Sequence, residues 1–99
     1  SVKLSSNITR IADTTFYNCS ALTAITIPSK VTAIGNSAFE NCSTLKSVTI
    51  LSNTYVTLGS NTFMGLPTNS YIYVPNSTIK EDFIDGTNYD STKTTVSIK

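Results

Sequence analysis

Residues 34–50, IGNSAFENCSTLKSVTI, repeat a pattern already present in residues 11–27, IADTTFYNCSALTAITI. At an offset of 23, Phe16 falls on Phe39, Asn18 on Asn41, Cys19 on Cys42 and Leu22 on Leu45. Ser5–Ile27 laid on Pro28–Ile50 gives ten identities in 23 positions. A fixed period of this size marks a solenoid, in which each repeat is one turn of chain that buries its apolar side only against its neighbours.

Working outward, the inward positions of the first complete unit are Ile8, Ile11, Phe16, Cys19, Leu22, Ile25 and Ile27, and the second repeats them as Val31, Ile34, Phe39, Cys42, Leu45, Val48 and Ile50. The small residues between them, Ala12 against Gly35 and Thr15 against Ala38, suggest places where backbone passes too close for a large side chain. A third unit is longer by one residue, placed within LSNTYV (51–56), and carries Leu58, Gly59, Phe63, Ile72 and Val74 at the matching places. It replaces Asn-Cys by Gly65-Leu66 and puts Asn69 where Leu22 and Leu45 stand. SVKL at the start reads as the tail of a repeat, and Val96 and Ile98 follow Ile72 and Val74 by 24 residues.

The expected architecture is a repeat solenoid of the leucine-rich-repeat kind, a right-handed stack of short parallel strands near Val2–Leu4, Ile25–Ile27, Val48–Ile50, Ile72–Val74 and Val96–Ile98. Five such rungs at the usual strand spacing stack to roughly 20 Å. Between the last two strands, Thr78 followed by Glu81 fits a capping box, Ile79 and Phe83 share a helical face, and Gly86 can end the turn, which predicts a short capping helix over about Ile79–Asp85. One domain, 1–99, is expected, made of a partial repeat 1–4, repeats 5–27, 28–50 and 51–74, and a C-terminal cap 75–99. An uncovered first strand would be open to edge-to-edge self-association through the N-terminal rung.

Composition agrees with many short strands and tight turns. Seventeen Thr, 14 Ser and 9 Asn make up 40 of 99 residues, and there is no His and no Trp. A net charge of +1 over seven basic and six acidic residues leaves no basic run in the sequence, which argues against nucleic acid. No apolar run approaches the roughly 18 residues of a membrane helix, which argues against membrane insertion.

The spacing Ile-x-x-x-x-Phe-x-x-Cys-x-x-Leu-x-x-Ile-x-Ile-Pro, met at Ile11–Pro28 and again, with Leu51 for the proline, at Ile34–Leu51, resembles the BspA-like leucine-rich repeat family. YIYVP at Tyr71–Pro75, before a short helix and a last strand, is similar to that family's usual ending, while the third unit departs by losing Cys and Leu. The resemblance implies a bacterial surface or secreted protein, with relatives in some parasitic protozoa, whose solenoid adheres to host or neighbouring-cell macromolecules. It brings no catalytic motif.

Among candidate chemical groups, Cys19 and Cys42 stand one rung apart, close enough for a disulfide. Stacked side chains point the same way, however, so two buried free thiols are expected. Without His, neither a Cys nucleophile nor a zinc site finds its partners, and neither an enzyme nor a cofactor is expected. Sequons at Asn7, Asn18, Asn41 and Asn76 are about as many as chance supplies in so Ser/Thr-rich a chain. Asp82, Asp85 and Asp90 near Gly86 and Asn88 lack the alternation of a calcium loop and read as solvated charges.

Strand alternation places one surface. If Ile25, Ile27, Val48, Ile50, Ile72 and Val74 point inward, then Ala24, Thr26, Pro28, Ser47, Thr49, Leu51, Tyr71, Tyr73 and Pro75 form the outer face. Thr26, Thr49, Leu51, Tyr71 and Tyr73 are the candidate ligand-binding residues, the two tyrosines because each offers a large ring with a polar tip; shielding of the cap is the competing role for them. The function expected is a noncatalytic binding or adhesion module for protein or glycan at a cell surface or outside the cell. A ligand-free structural spacer is the alternative.

Overall fold

A computed structural model of the chain describes residues 4–83 and 88–99. It is a solenoid whose main sheet holds four parallel strands: β2 (Ala24–Ile27), β4 (Ser47–Ile50), β6 (Ser70–Val74) and β7 (Thr94–Ile98), in that order. Alternation makes these strands. In AITI and SVTI every second residue is buried, and in SYIYV the buried positions are Ser70, Ile72 and Val74. The Phe column lies inside: Phe39 is stacked on Phe16 at 5.1 Å between ring centroids and on Phe63 at 5.2 Å.

The repeat also builds a second parallel sheet that alternation does not reveal. It is formed by β1 (Arg10–Ile11), β3 (Ala33–Ile34) and β5 (Thr57–Leu58), with Arg10 opposite Ala33 and Ala33 opposite Thr57. The register advances by 23 from Arg10 to Ala33 and by 24 from Ala33 to Thr57, and by 24 again from Ser47 to Tyr71, so the additional residue lies between Ile50 and Thr57. Val56 is buried there, and its N–H donates to Asp82 Oδ2 at 2.9 Å, tying the longer loop to the cap.

Between the sheets the rungs are joined a third time. The N–H groups of Thr14, Phe16 and Asn18 donate to the carbonyls of Asn36, Ala38 and Glu40, and those of Ser37, Phe39 and Asn41 to Ser60, Thr62 and Met64, at 2.8–3.0 Å. To aim these bonds along the stack, the backbone takes a left-handed conformation at Thr14, Ser37 and Asn61 and again at Asn18, Asn41 and Gly65, and the third rung adds one more at Asn69. Asn and Gly tolerate that conformation best.

A side-chain ladder completes the turn. Asp13 Oδ1 accepts the N–H of Asn36, and Asn36 Oδ1 accepts the N–H of Ser60, each at 2.8 Å. The accepting carboxylate or amide lies over the residue before the next donor, which is why that residue is glycine: a Cβ on Gly35 or Gly59 would run into Asp13 or Asn36.

At the C-terminal end, helix α1 spans Ser77–Glu81. It begins two residues earlier than Thr78–Glu81 capping predicts, because Asn76 is the N-cap and its side chain accepts the Ile79 N–H at 2.9 Å. Thr78 is exposed. The helix ends at Glu81, short of the Asp85 expected, because the Asp82 N–H turns in to the Ile79 carbonyl at 3.0 Å; Asp85 and Gly86 themselves lie outside the described residues, as do Val2 and Lys3 of the strand expected at Val2–Leu4. Leu4 is half-buried and in no strand. Ile79 and Phe83 are fully buried, and Phe83 extends the ring column by packing on Phe63 at 6.0 Å. The cap covers the ring column better than the last strand: Ile98, which pairs with the buried Val74, is 49% exposed.

The cysteines are both free, but only Cys42 is buried; Cys19 is half-exposed, contrary to the expectation of two buried thiols. Cys42 lies between rungs, whereas Cys19 belongs to the outermost of the rungs whose rings stack, so less chain covers it. The Cys42 thiol donates to the Phe16 carbonyl at 3.1 Å. Burial pushes that thiol above its ordinary range, and a hydrogen bond with the Cys19 backbone opposes this only in part.

Candidate binding faces

The outer side of the main sheet consists of rows that run across the rungs. One row aligns Ala24, Ser47, Tyr71 and Thr95, and the next aligns Thr26, Thr49, Tyr73 and Ser97. Thr26, Leu51 and Tyr71 are exposed, while Thr49 and Tyr73 are half-buried. Leu51 lies just beyond β4, where its N–H donates to the Ile27 carbonyl at 3.1 Å. The rungs therefore bring Thr26, Thr49 and Tyr73 together in one row, with Tyr71 beside Tyr73 and Leu51 at the margin.

The two tyrosines stack on each other, and Tyr73 also meets the last residue of the cap. Their rings are parallel within 6° and 5.8 Å apart between centroids. Lys99 Nζ sits 4.5 Å from the Tyr73 centroid, a geometry in which the ammonium is attracted to the ring face. Tyr73 is thus held between a ring and a cation, which accounts for its lower exposure, and Tyr71 remains 40% exposed. Lys99 was not among the residues that alternation singles out. Its place follows from the row register, since its N–H donates to the Val74 carbonyl one strand away.

Lys46 stands at the other end of the strands, one residue before β4 and level with the buried Ser70. Its ammonium donates to the Thr68 carbonyl at 2.9 Å, and its own carbonyl accepts the Tyr71 N–H at 2.8 Å, so it is held next to the strand that carries the tyrosines. The hydroxyls of the outer face supply donors and acceptors without charge.

The short sheet carries a different surface, an open groove of about 510 Å³ lined by Arg10, Asp13, Ala33, Gly35, Thr57 and Gly59 among others. Among the described residues no group of three or more His, Cys, Asp or Glu is placed to hold a metal ion, and no helix is long and apolar enough to cross a membrane.

A family model described as "BspA type Leucine rich repeat region (6 copies)" matches residues 1–99. No curated protein and no solved structure matches the chain.

Proposed function

The chain belongs to the BspA-type leucine-rich repeat family, and we propose that it is a noncatalytic binding module that acts at a cell surface or outside the cell. Repeat stacks of this kind generally serve as scaffolds for interaction, because repetition supplies an extended surface without a catalytic centre. In this reading the domain is 1–99, with repeats 5–27, 28–50 and 51–74 between a partial repeat 1–4 and the cap 75–99. The ligand meets the outer face of the main sheet at Thr26, Thr49, Leu51, Tyr71 and Tyr73.

The observation that carries the proposal is the stacked pair Tyr71–Tyr73 on that face, with Tyr71 40% exposed although its neighbour is clamped by Lys99. A ring presented in a fixed orientation loses little entropy on binding, which favours its use as an anchor. The test is a panel of extracellular-matrix proteins and arrayed glycans probed with the chain and with Tyr71→Ala. Binding by the parent that the variant loses is the expected result. Equal binding by both would remove this face from the function, and no binding by either would favour a structural spacer.

A further inference from the structure

Cys19 and Cys42, the two thiols of the chain, occupy equivalent positions on adjacent rungs, and the register is held on both sides of them. Before the pair, the Asn18 N–H donates to the Glu40 carbonyl at 2.9 Å; after it, the Thr44 hydroxyl donates to the Ser20 carbonyl at 2.6 Å and the Lys46 N–H to the Thr23 carbonyl at 3.0 Å. Rungs registered in this way set the two Cα atoms about 4.8 Å apart, inside the roughly 4.4–6.8 Å that a disulfide spans. The Cys42 side chain already reaches across to the first rung, where its thiol donates to the Phe16 carbonyl at 3.1 Å and is hydrogen-bonded to the Cys19 backbone. The two sulfurs differ in access: Cys42 is fully buried, and Cys19 is half-exposed.

We infer that Cys19 and Cys42 form an oxidative modification site, at which a hydroperoxide oxidises Cys19 and Cys42 converts the product to a disulfide that staples the first rung to the second. Access decides which sulfur meets the oxidant, and register decides which one resolves it. In the first step the Cys19 thiolate attacks the terminal oxygen of the hydroperoxide: an S–O bond forms, the O–O bond breaks, and the alkoxide or hydroxide that leaves takes up the proton that Cys19 released. Cys19 is oxidised by two electrons to a sulfenic acid and the peroxide is reduced. In the second step the Cys42 sulfur attacks the Cys19 sulfur, the S–O bond breaks, and the departing hydroxide leaves as water with the Cys42 proton. Cys19 must turn about its Cα–Cβ bond to be met, and its exposed side leaves it room to do so. The backbone stays where the bonds on either side of the pair hold it. The disulfide replaces the thiol donation to Phe16 by a covalent tie between rungs otherwise joined by hydrogen bonds and packing, and it closes the chain from 19 to 42 into a loop, which restricts the unfolded state. The site is independent of the outer face and of any ligand there.

The experiment treats the full folded chain with hydrogen peroxide and follows intact mass, peptide mapping and urea unfolding. Before oxidant is added the mass carries both thiol hydrogens. Peroxide should remove two hydrogens from the monomer, with the bond mapped to Cys19–Cys42, and dithiothreitol should restore them. The oxidised form should unfold at a urea midpoint raised by about 1–2 M. Dimedone, which traps sulfenic acids, should label Cys19 and lower the yield of disulfide. In Cys19→Ser the buried Cys42 should stay a thiol under the same treatment, and in Cys42→Ser, Cys19 should go on to the sulfinic acid. Should Cys42→Ser fail to fold, dimedone on the parent gives the same order of events. The inference is overturned if Cys19 of the parent gains oxygen while Cys42 remains a thiol, if the disulfide joins two chains, if dimedone labels Cys42 first, or if the oxidised form is no more stable than the reduced one.

Discussion

Replacing Gly59 by Ala tests the stacking logic at its tightest point. A Cβ on Gly59 would lie 2.6 Å from Asn36 N and 2.8 Å from the Gly35 carbonyl carbon, and would also overlap Asn36 Oδ1. Ordinary contacts between such atoms are about 3.5–4.0 Å. The amide oxygen can swing aside; the two backbone atoms cannot. Accommodation requires rungs two and three to part where the Gly59 N–H meets the Ile34 carbonyl at 2.9 Å and the Ser60 N–H meets Asn36 Oδ1 at 2.8 Å. Overpacking of this kind costs about 1–3 kcal/mol, and one lost hydrogen bond adds about 1 kcal/mol, so Gly59→Ala should destabilise by about 2–4 kcal/mol. Urea unfolding reads this as a midpoint lowered by at least ~1 M. Asn36→Ala removes only the side-chain acceptor and exposes the Ser60 N–H to water, for about 1 kcal/mol. The double variant should stay nearly as unstable as Gly59→Ala, because deleting the Asn36 amide leaves both backbone contacts in place. A cost for Gly59→Ala within about 0.5 kcal/mol of zero, the range of an ordinary surface change, would refute the close approach. Recovery of the double variant to the level of Asn36→Ala would show that the side chain alone stood in the way.

Asn76→Ala should cost about 1 kcal/mol through loss of the helix cap, whereas Thr78→Ala should be nearly neutral, a contrast that denaturant unfolding of the two variants measures. Cys42→Ala should cost about 1–2 kcal/mol in the same assay through lost packing; in the native protein a thiol reagent should label Cys19 first and Cys42 only on unfolding, and the unreduced mass should carry both thiol hydrogens. Because the folded-state pKa of Cys42 is raised, its contribution is complete below the unfolded thiol's value of about 8.5 and is lost as pH rises through the folded value. The stability of the parent should therefore fall in alkali more steeply than that of Cys42→Ala.

The main sheet was legible because AITI, SVTI and SYIYV alternate, and a period-two signal read at a period of 23 fixes both face and neighbour. The short sheet was not, since two residues per rung, such as Arg10 and Ile11, carry no alternation. Its trace was Gly35 and Gly59, which reported the close approach but not the Asp13–Asn36–Ser60 ladder that causes it. The helix start shifted because Asn76 and Thr78 are both good caps. Only the backbone after Pro75 decides between them, and Asn76 is the one in an extended conformation with its side chain on the Ile79 N–H. At the candidate site, alternation could say that Tyr71 and Tyr73 leave the sheet on one side. That their rings stack, and that Lys99 reaches Tyr73, depends on row register and side-chain direction across strands, which no single stretch contains.

The charge pattern shows what a repeat does to information spread along a chain. Lys46, Lys93 and Lys99 are separated by 47 and 6 residues, and a net charge of +1 suggests no electrostatic preference at all. Winding at 23 and 24 residues per rung returns each of these lysines to an end of a strand in the same sheet, while Asp13 and Glu40 fall in turns and most of the remaining acids collect near the cap. The lysines thus gather at the strand ends of one sheet while most of the carboxylates lie elsewhere, although the net charge is only +1. Exposed charges farther apart than about one Debye length, some 8–10 Å at physiological salt, are largely screened from one another, so the strand ends and the turns act as separate electrostatic surfaces. What the winding sets is therefore local: it brings Lys99 over the Tyr73 ring, which in turn stacks on Tyr71.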